Sequence, residues 1–260
     1  DFRFADSAVT TLAAGQRVVV VRNQVAFESR YGSGLNIAGE FVESGLKNSG
    51  ERITLSDLQS GVMLDFTYKD TWATRSDGRG SSLVVIDPHG DYGAGSNWQA
   101  SVAFGGTAGA APVETTDVLI NEILAHPEAP QVDAIELYNP TGESVDLTHW
   151  WLSDSASDLF KYEFEMGTSL GPGAYLVLDE DDFNPGGGTD PKDFALSSTG
   201  DNVWLLASDV TGKPTRFADV VTFDATLNGV TLGRVPNGSR AYDLFPLTHD
   251  SLGTQNNSHL

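Results

Sequence analysis

The sequence predicts an all-β protein, and three observations support this prediction. Glycine (28 residues) and proline (11) are frequent, and aromatic residues make up 10% of the 260 residues, which suits many short strands joined by tight turns. Short β-branched or alternating apolar runs recur, as at Val18–Val21 and Ile53–Leu55. No amphipathic helix of ordinary length is evident in the pattern. These features favour sheets over a helical bundle.

Charge and cysteine content limit the functions open to the chain. It carries 15 Lys and Arg against 36 Asp and Glu, a formal net charge of -21, so its average surface repels phosphate backbones and anionic lipid. This argues against nucleic acid as a partner and favours solubility in a salty or extracellular setting. The lack of cysteine excludes disulfides and thiol chemistry. No apolar run reaches the roughly 20 residues that span a bilayer, so we expect no membrane insertion.

The first half is predicted to contain short strands separated by polar loops. A strand is expected around Phe2 and Phe4, and a long glycine-rich loop from Phe27 to Gly39. Further strands are predicted at Val18–Val21, Ile53–Leu55, Met63–Tyr68 and Ser82–Ile86.

A domain boundary is predicted after the first half of the chain. Small residues, proline and threonine at 110–116 have the composition of a linker. We therefore expect one domain over residues 1–109 and another over 117–257. Because residue 1 is Asp, we expect the chain to be a processed, cut or partial piece.

The second half begins with an apolar stretch from Val118 to Asp154 and continues as strands and turns. Asn139–Gly142 and Leu170–Gly173 have the residues that tight turns favour, and Asp179–Asp193 reads as an acidic loop. Strands are predicted at Val118–Ile123, Ile135–Tyr138, Leu147–Ser153, Tyr175–Leu178, Val203–Leu206, Ala218–Phe223 and Thr231–Val235.

The two halves also resemble each other in the order of their landmarks. Ile53–Leu55 matches Val203–Leu205, and Gly80 with Leu83 matches Gly229 with Leu232. Nothing before Asp1 corresponds to Val118–Tyr162, so the first copy lacks its opening strands and would expose sheet edges. Three sources remain open for those strands: residues absent from this chain, a second chain, or docking against the second copy.

These landmarks carry a family resemblance. In the second half they resemble the ordered motifs of a lamin tail domain: Leu119–Ile123, Ile135–Pro140, Val145–Leu147, Trp151–Asp154 and Leu170–Gly173. In the first half, three segments are similar to the closing half of that family in bacterial secreted proteins: Gly80–Leu83, Asn97–Ser101 and Gly105–Gly109. The resemblance covers one partial and one complete copy.

The resemblance implies two tandem immunoglobulin-like β-sandwiches, the first lacking its opening strands, with no catalytic centre. It implies an accessory module of an exported or cell-surface bacterial protein that contacts a protein or a cell-surface polymer. The segment Ser251–Asn256 resembles the family's ending only loosely.

A cluster of polar residues is the main candidate for chemistry. Paired carboxylates a few ångströms apart can perform acid–base hydrolysis or hold calcium, and Glu122 and Glu136 lead this hypothesis. The structural alternative is that such side chains satisfy backbone amides near strand ends and turns. Five polar residues are expected to converge at one end of the second sandwich: Asn121, Glu122, Glu136, Asn139 and Asp154.

Three further groups of residues are weighed. The acidic run Asp179, Glu180, Asp181 and Asp182 could recruit calcium for adhesion, but it lacks the order of a calcium-binding helix-loop-helix and reads better as a solvated loop. Trp150 and Trp151 are adjacent and point to opposite faces of a strand, so one ring is expected to be exposed for a partner. Gly167–Gly171 formally fits a serine-hydrolase pattern but lies between strands.

The sequence therefore predicts a noncatalytic binding, adhesion or spacer module without a cofactor. Two alternatives stay open: a hydrolase that uses Glu122 and Glu136, and a calcium-dependent adhesion module.

Overall fold

Seventeen short strands and two α-helices form in the residues that the computed structural model describes, 2–41, 45–113, 118–240 and 243–260. Contacts between backbone positions divide the chain into two units, residues 1–113 and 114–260. The predicted linker lies partly outside the described residues, since 114–116 are not among them. No helix among the described residues is long and apolar enough to cross a membrane.

Unit 1 consists of three small sheets, one α-helix and several 3-10 turns in its described residues. The elements are β1 (Val19–Val21), α1 (Gln24–Tyr31), β2 (Ile37–Glu40), β3 (Arg52–Asp57), β4 (Gly61–Thr67), β5 (Leu83–Val85) and β6 (Trp98–Ala100). Strand β1 pairs with β2 in parallel, while β3–β4 and β5–β6 pair antiparallel.

Little apolar surface is buried in unit 1. Among its described residues, the buried apolar side chains are Val21 and Ala38, while Leu58, Val62 and Met63 on the β3–β4 hairpin are exposed. The small sheets of unit 1 therefore enclose little apolar core among these described residues.

Unit 2 is a β-sandwich. Its strands are β7 (Leu119–Leu124), β8 (Ala134–Tyr138), β9 (Val145–Asp146), β10 (Trp150–Ser153), β11 (Tyr162–Glu163), β12 (Ser169–Leu170), β13 (Tyr175–Asp179), β14 (Gly200–Ser208), β15 (Pro214–Asp224), β16 (Leu232–Gly233) and β17 (Phe245–Pro246). As described, one sheet has the order β13-β8-β7-β16-β17 and the other β11-β10-β14-β15, with β9 and β12 as a separate pair. All these neighbours are antiparallel.

Alternation along the strands builds the core of unit 2. On β8, Ile135 and Leu137 join one apolar cluster, and they meet Val203 and Leu205 from β14 of the other sheet. All four side chains are fully buried. The prediction of an all-β fold is therefore confirmed, and the sandwich is closed by side chains from both sheets.

A buried ion pair joins the two sheets of unit 2 along one side. The Asp219 carboxylate on β15 accepts hydrogen bonds from the Ile120 amide of β7 (2.9 Å) and from Arg234 Nη2 (3.0 Å). Arg234 Nε in turn donates to the Ile120 carbonyl (2.8 Å). Strand β7 is irregular here, because its register against β8 shifts between Ile120 and Glu122. The ion pair satisfies the backbone groups that this bulge frees.

Most predicted strands are confirmed, but three local predictions are wrong. Phe2 and Phe4 do not lie in a strand: Phe4–Asp6 is a 3-10 helix in which the Ser7 amide donates to the Phe4 carbonyl. The predicted loop Phe27–Gly39 instead contains much of α1 and the start of β2. The acidic loop begins with a short helix, α2 (Glu180–Phe183).

Helix capping explains why α1 was missed. The Asn23 side chain accepts a hydrogen bond from the Ala26 amide at the N-terminus, and Gly32, with φ 84°, follows the last turn. These local contacts set both ends of a helix that has no buried residue. Apolar periodicity therefore could not reveal it.

We predict that Asp219→Ala destabilises unit 2 by about 3–5 kcal/mol, because it leaves Arg234 buried without its counter-charge. Urea denaturation followed by tryptophan fluorescence measures the change. Asp224→Ala is the matched control, since Asp224 lies exposed on the same strand and should change the free energy of unfolding by less than about 0.5 kcal/mol. Equal effects of the two substitutions would contradict the role of the ion pair.

Candidate functional site

Two glutamates face each other on the outer surface of the five-stranded sheet. Strands β7 and β8 pair so that Glu122 lies opposite Glu136. Their neighbours Ile123 and Ile135 point into the core, so the carboxylates point to the opposite face. Both glutamates nevertheless have 0% of their surface exposed. Another part of the chain must therefore cover them.

The cover is the segment Ser251–Asn256, which we call the covering segment. Ser251 donates twice to Glu122, from its amide to Oε1 (3.1 Å) and from its Oγ to Oε2 (2.8 Å). The Gly253 amide donates to Glu136 Oε2 (2.5 Å). Each glutamate thus accepts a hydrogen bond from a backbone amide of the covering segment. These amides are not paired with a neighbouring β-strand.

Two asparagines complete the attachment of the covering segment. Asn256 Nδ2 donates to the carbonyls of Asn121 (3.1 Å) and Arg234 (2.9 Å). Asn121 Nδ2 donates to Asn256 Oδ1 (3.1 Å) and to Glu136 Oε1 (2.8 Å). Asn121, Glu122, Glu136 and Asn256 are all buried, so they form a polar network beneath the surface.

Burial raises the pKa of both glutamates. The pKa of Glu136 rises from 4.5 to about 7, chiefly through desolvation and further through the nearby charges of Glu122 and Asp250, while hydrogen bonds from Asn121 and Gly253 oppose the rise. Desolvation likewise raises the pKa of Glu122, against hydrogen bonds from the amide and hydroxyl of Ser251. The two carboxylates therefore disfavour carrying two negative charges at once.

This geometry suits attachment of the C-terminal end better than hydrolysis. A general acid or base must reach the proton of a substrate within hydrogen-bond distance. Here the oxygens of Glu122 and Glu136 already accept hydrogen bonds from the protein, and neither side chain has a solvent-exposed surface. In this arrangement a raised pKa reflects burial under the covering segment.

The other polar candidates do not join this pair. Asn139 organises a turn, since its Nδ2 donates to the carbonyls of Glu143 (2.8 Å) and Leu170 (2.8 Å). Asp154 forms an ion pair with Lys161 Nζ at 2.5 Å. The expected convergence of five residues is therefore wrong for Asn139 and Asp154, whose partners hold them in their own loops.

The acidic run is used to begin helix α2. Asp179 Oδ1 accepts from the Asp181 amide (3.0 Å), Asp182 Oδ2 accepts from the Asp179 amide (3.1 Å), and Glu180 Oε1 accepts from Asn184 Nδ2 (2.7 Å). The first two contacts form a capping box, which suits acidic residues at a helix N-terminus. Among the described residues, no group of three His, Cys, Asp or Glu side chains is placed to hold a metal ion.

Neither tryptophan of the adjacent pair is exposed, so the expectation of an exposed ring is wrong. Trp150 has 3% of its surface exposed and lies in the core, and Trp151 has 9%. The Trp151 ring, on the outer face of the sheet, packs edge-on against Phe160 with 5.0 Å between ring centroids. Lys192 Nζ lies 5.2 Å from the Trp151 centroid. Its Nε1 donates to Ser208 Oγ (3.1 Å). The sequence shows the alternation of the rings but not this later cover.

The serine of the formal hydrolase pattern lies in a strand. Ser169 belongs to β12 and stands opposite Asp146 of β9. A nucleophile of that pattern requires a sharp turn between a strand and a helix, which this pairing does not provide.

Sequence reasoning missed the residues that complete the network, namely Ser251, Gly253, Asn256 and Arg234. One indication was present, because Glu122 and Glu136 each interrupt an apolar run and a buried carboxylate requires donors. Those donors come from a segment about 120 residues away, so local patterns could not identify them.

Part of the chain matches a known protein family. Residues 112–223 match the model of a family described as Lamin Tail Domain, a span that includes β7 to β14 and all but the last residue of β15. No curated protein and no solved structure shows a significant match. The resemblance is therefore confirmed for the region of β7–β15.

We predict that unit 2 loses stability as pH rises from about 4.5 through about 7, by up to about 3 kcal/mol. A raised pKa in the folded state means that folding takes up a proton in this range, so the stabilisation is complete below the ordinary pKa and is lost as pH rises through the folded pKa of Glu136. Urea denaturation across this range measures the slope.

Glu136→Gln should flatten this pH dependence, because the side chain can no longer ionise. Glu165→Gln is the matched control, since Glu165 is exposed and should leave the slope unchanged. Stability that increases with pH in the unsubstituted protein would contradict the assignment.

Proposed function

We propose that this chain, whose residues 112–223 match the lamin tail domain family, is a noncatalytic interaction module of an exported or cell-surface protein. The observation that carries the proposal is the burial of Glu122 and Glu136 under the covering segment. The one pair of carboxylates that suggested chemistry serves to hold the C-terminal end. The family is immunoglobulin-like, consistent with an interaction role.

Charge supports an exported setting and a protein or polymer partner. A net charge of -21 keeps the chain soluble at high ionic strength and opposes binding to phosphate backbones. We therefore propose an extracellular or cell-surface location, with a protein or a cell-surface polymer as the partner. Nucleic acid is not proposed.

Exposed apolar residues support unit 1 as the part that makes contacts. Leu58, Val62 and Met63 are exposed together on the β3–β4 hairpin, whereas unit 2 buries its apolar strands. Exposed apolar side chains that cluster on one element are typical of interaction surfaces.

We predict that a screen of esterase, phosphatase, nuclease and glycosidase substrates shows no activity above a protein-free blank. The reason is that the carboxylates are out of reach of a substrate. Activity that Glu122→Gln abolishes and Glu165→Gln preserves would refute the noncatalytic role and support the hydrolase alternative.

We predict that calcium raises the melting temperature negligibly and binds no more tightly than millimolar in calorimetry. The carboxylates of Asp179, Glu180 and Asp182 are engaged as acceptors at the start of α2, so a cation would have to displace these contacts. A micromolar site, with a melting temperature that rises with calcium concentration, would support the adhesion alternative.

A further inference from the structure

Strand β5 of unit 1 has one paired edge and one open edge in the described residues. Its sheet contains β5 and β6. The Ser101 amide donates to the Ser82 carbonyl (2.8 Å) at the start of this ladder. In an antiparallel pair the bonding groups alternate along the strand. The N–H and C=O groups of Leu83 and Val85 therefore point away from β6, towards the open edge.

Strand β16 of unit 2 has the same ladder but no open edge. The Leu247 amide donates to the Thr231 carbonyl (2.9 Å) on the β17 side, as Ser101 does to Ser82 in unit 1. On the opposite side the Arg234 amide donates to the Asn121 carbonyl of β7 (2.8 Å). Strand β7 therefore pairs with the edge of β16 that corresponds to the open edge of β5.

The order of elements extends this correspondence. In unit 1, β1, α1, β3, β4, β5 and β6 follow one another as β13, α2, β14, β15, β16 and β17 do in unit 2, with β2 as an addition. The two hairpins of each series pair alike, β3 with β4 as β14 with β15, and β5 with β6 as β16 with β17. Unit 1 thus has the closing half of the unit 2 topology, and the edge of β5 corresponds to the position of β7.

The surface beside β5 suits an extended apolar strand that carries an acidic residue. A groove of about 810 Å³ is lined by Leu83, Val85 and Ile86 of this region, and its one charged lining residue is the exposed Arg17. Strand β7 is apolar except at Asn121 and Glu122, and its one charge is negative. Arg17, the one cation of a mainly apolar groove, therefore complements the single negative charge of a strand of the β7 type.

We propose that the open edge of β5 binds an extended, mainly apolar strand of the β7 type that carries an acidic residue, by β-augmentation. Main-chain hydrogen bonds to Leu83 and Val85 supply the register, and the groove and Arg17 select the side chains. This inference rests on the proposed interaction role and names the class of its partner.

The test uses the full chain and a synthetic peptide. The peptide has the sequence of residues 118–125, between short polar flanks and with a fluorescent label, and anisotropy measures its binding. We expect saturable binding at micromolar concentrations. Absence of saturable binding would overturn the proposal.

Two N-methylated peptides test the strand geometry. In unit 2, Ile123 lies opposite Leu232 and faces β16, while the amide of Glu122 faces β8. N-methylation at the Ile123 position should weaken binding about tenfold or more, because it removes an inter-strand hydrogen bond. N-methylation at the Glu122 position serves as the matched control and should change binding less than about twofold. Equal losses would overturn the geometry.

A charge exchange tests the groove. Arg17→Glu should weaken binding of the peptide that carries glutamate at position 122. A peptide with lysine at position 122 should regain affinity for this variant. Light scattering tests self-pairing of the edge, and a dimer that the peptide fails to dissociate would overturn the proposal. Hydrolytic activity would refute the proposed function alone, and failure to bind the peptide would refute the strand site alone.

Discussion

Pairing of β7 on both edges is the constraint on which the structure of unit 2 depends. A buried strand must satisfy its backbone N–H and C=O groups, and β7 does so between β8 and β16. Where its register shifts, the amide and carbonyl of Ile120 bind Asp219 and Arg234 instead. Strand β7 thereby links its neighbours β8 and β16 to β15 of the other sheet. The apolar core lies between the two sheets.

The outer face of the same sheet explains why acidic residues occur in so apolar a stretch. Glu122 and Glu136 lose solvation when they are buried, which is costly for a charged group. Their oxygens gain donors from the covering segment, which otherwise has unpaired backbone amides. The network therefore fixes where the C-terminal end lies, and the raised pKa of both glutamates follows from the burial that this requires. A specific attachment of this kind needs polar groups that fit one arrangement.

The sequence predicted the strands of unit 2 well, because a strand and its ends are marked by neighbouring residues: an apolar run bounded by glycine, proline or asparagine. It also placed Glu122 and Glu136 among the polar residues expected to converge, and these two lie opposite each other on β7 and β8. It could not identify Ser251, Gly253 or Asn256 as their partners, because those contacts join positions more than 100 residues apart. The exposure of Trp151 was mispredicted for a related reason: alternation gives the face of a strand, whereas Phe160 and Lys192 decide whether that face is covered.

In the described residues of unit 1, strand β5 pairs with β6 on one edge, whereas β16 of unit 2 pairs with both β7 and β17. The two hairpins β3–β4 and β5–β6 pair as β14–β15 and β16–β17 do in unit 2. Among the described residues of unit 1, however, Val21 and Ala38 are the buried apolar residues. The central claim is that β16 is closed by β7 while β5 remains open. Amide hydrogen exchange of the free chain tests it most directly, by comparing Leu83 and Val85 with Leu232 and Arg234. The account predicts slow exchange at Leu232 and Arg234 and fast exchange at Leu83 and Val85. Comparable protection at all four amides would contradict it.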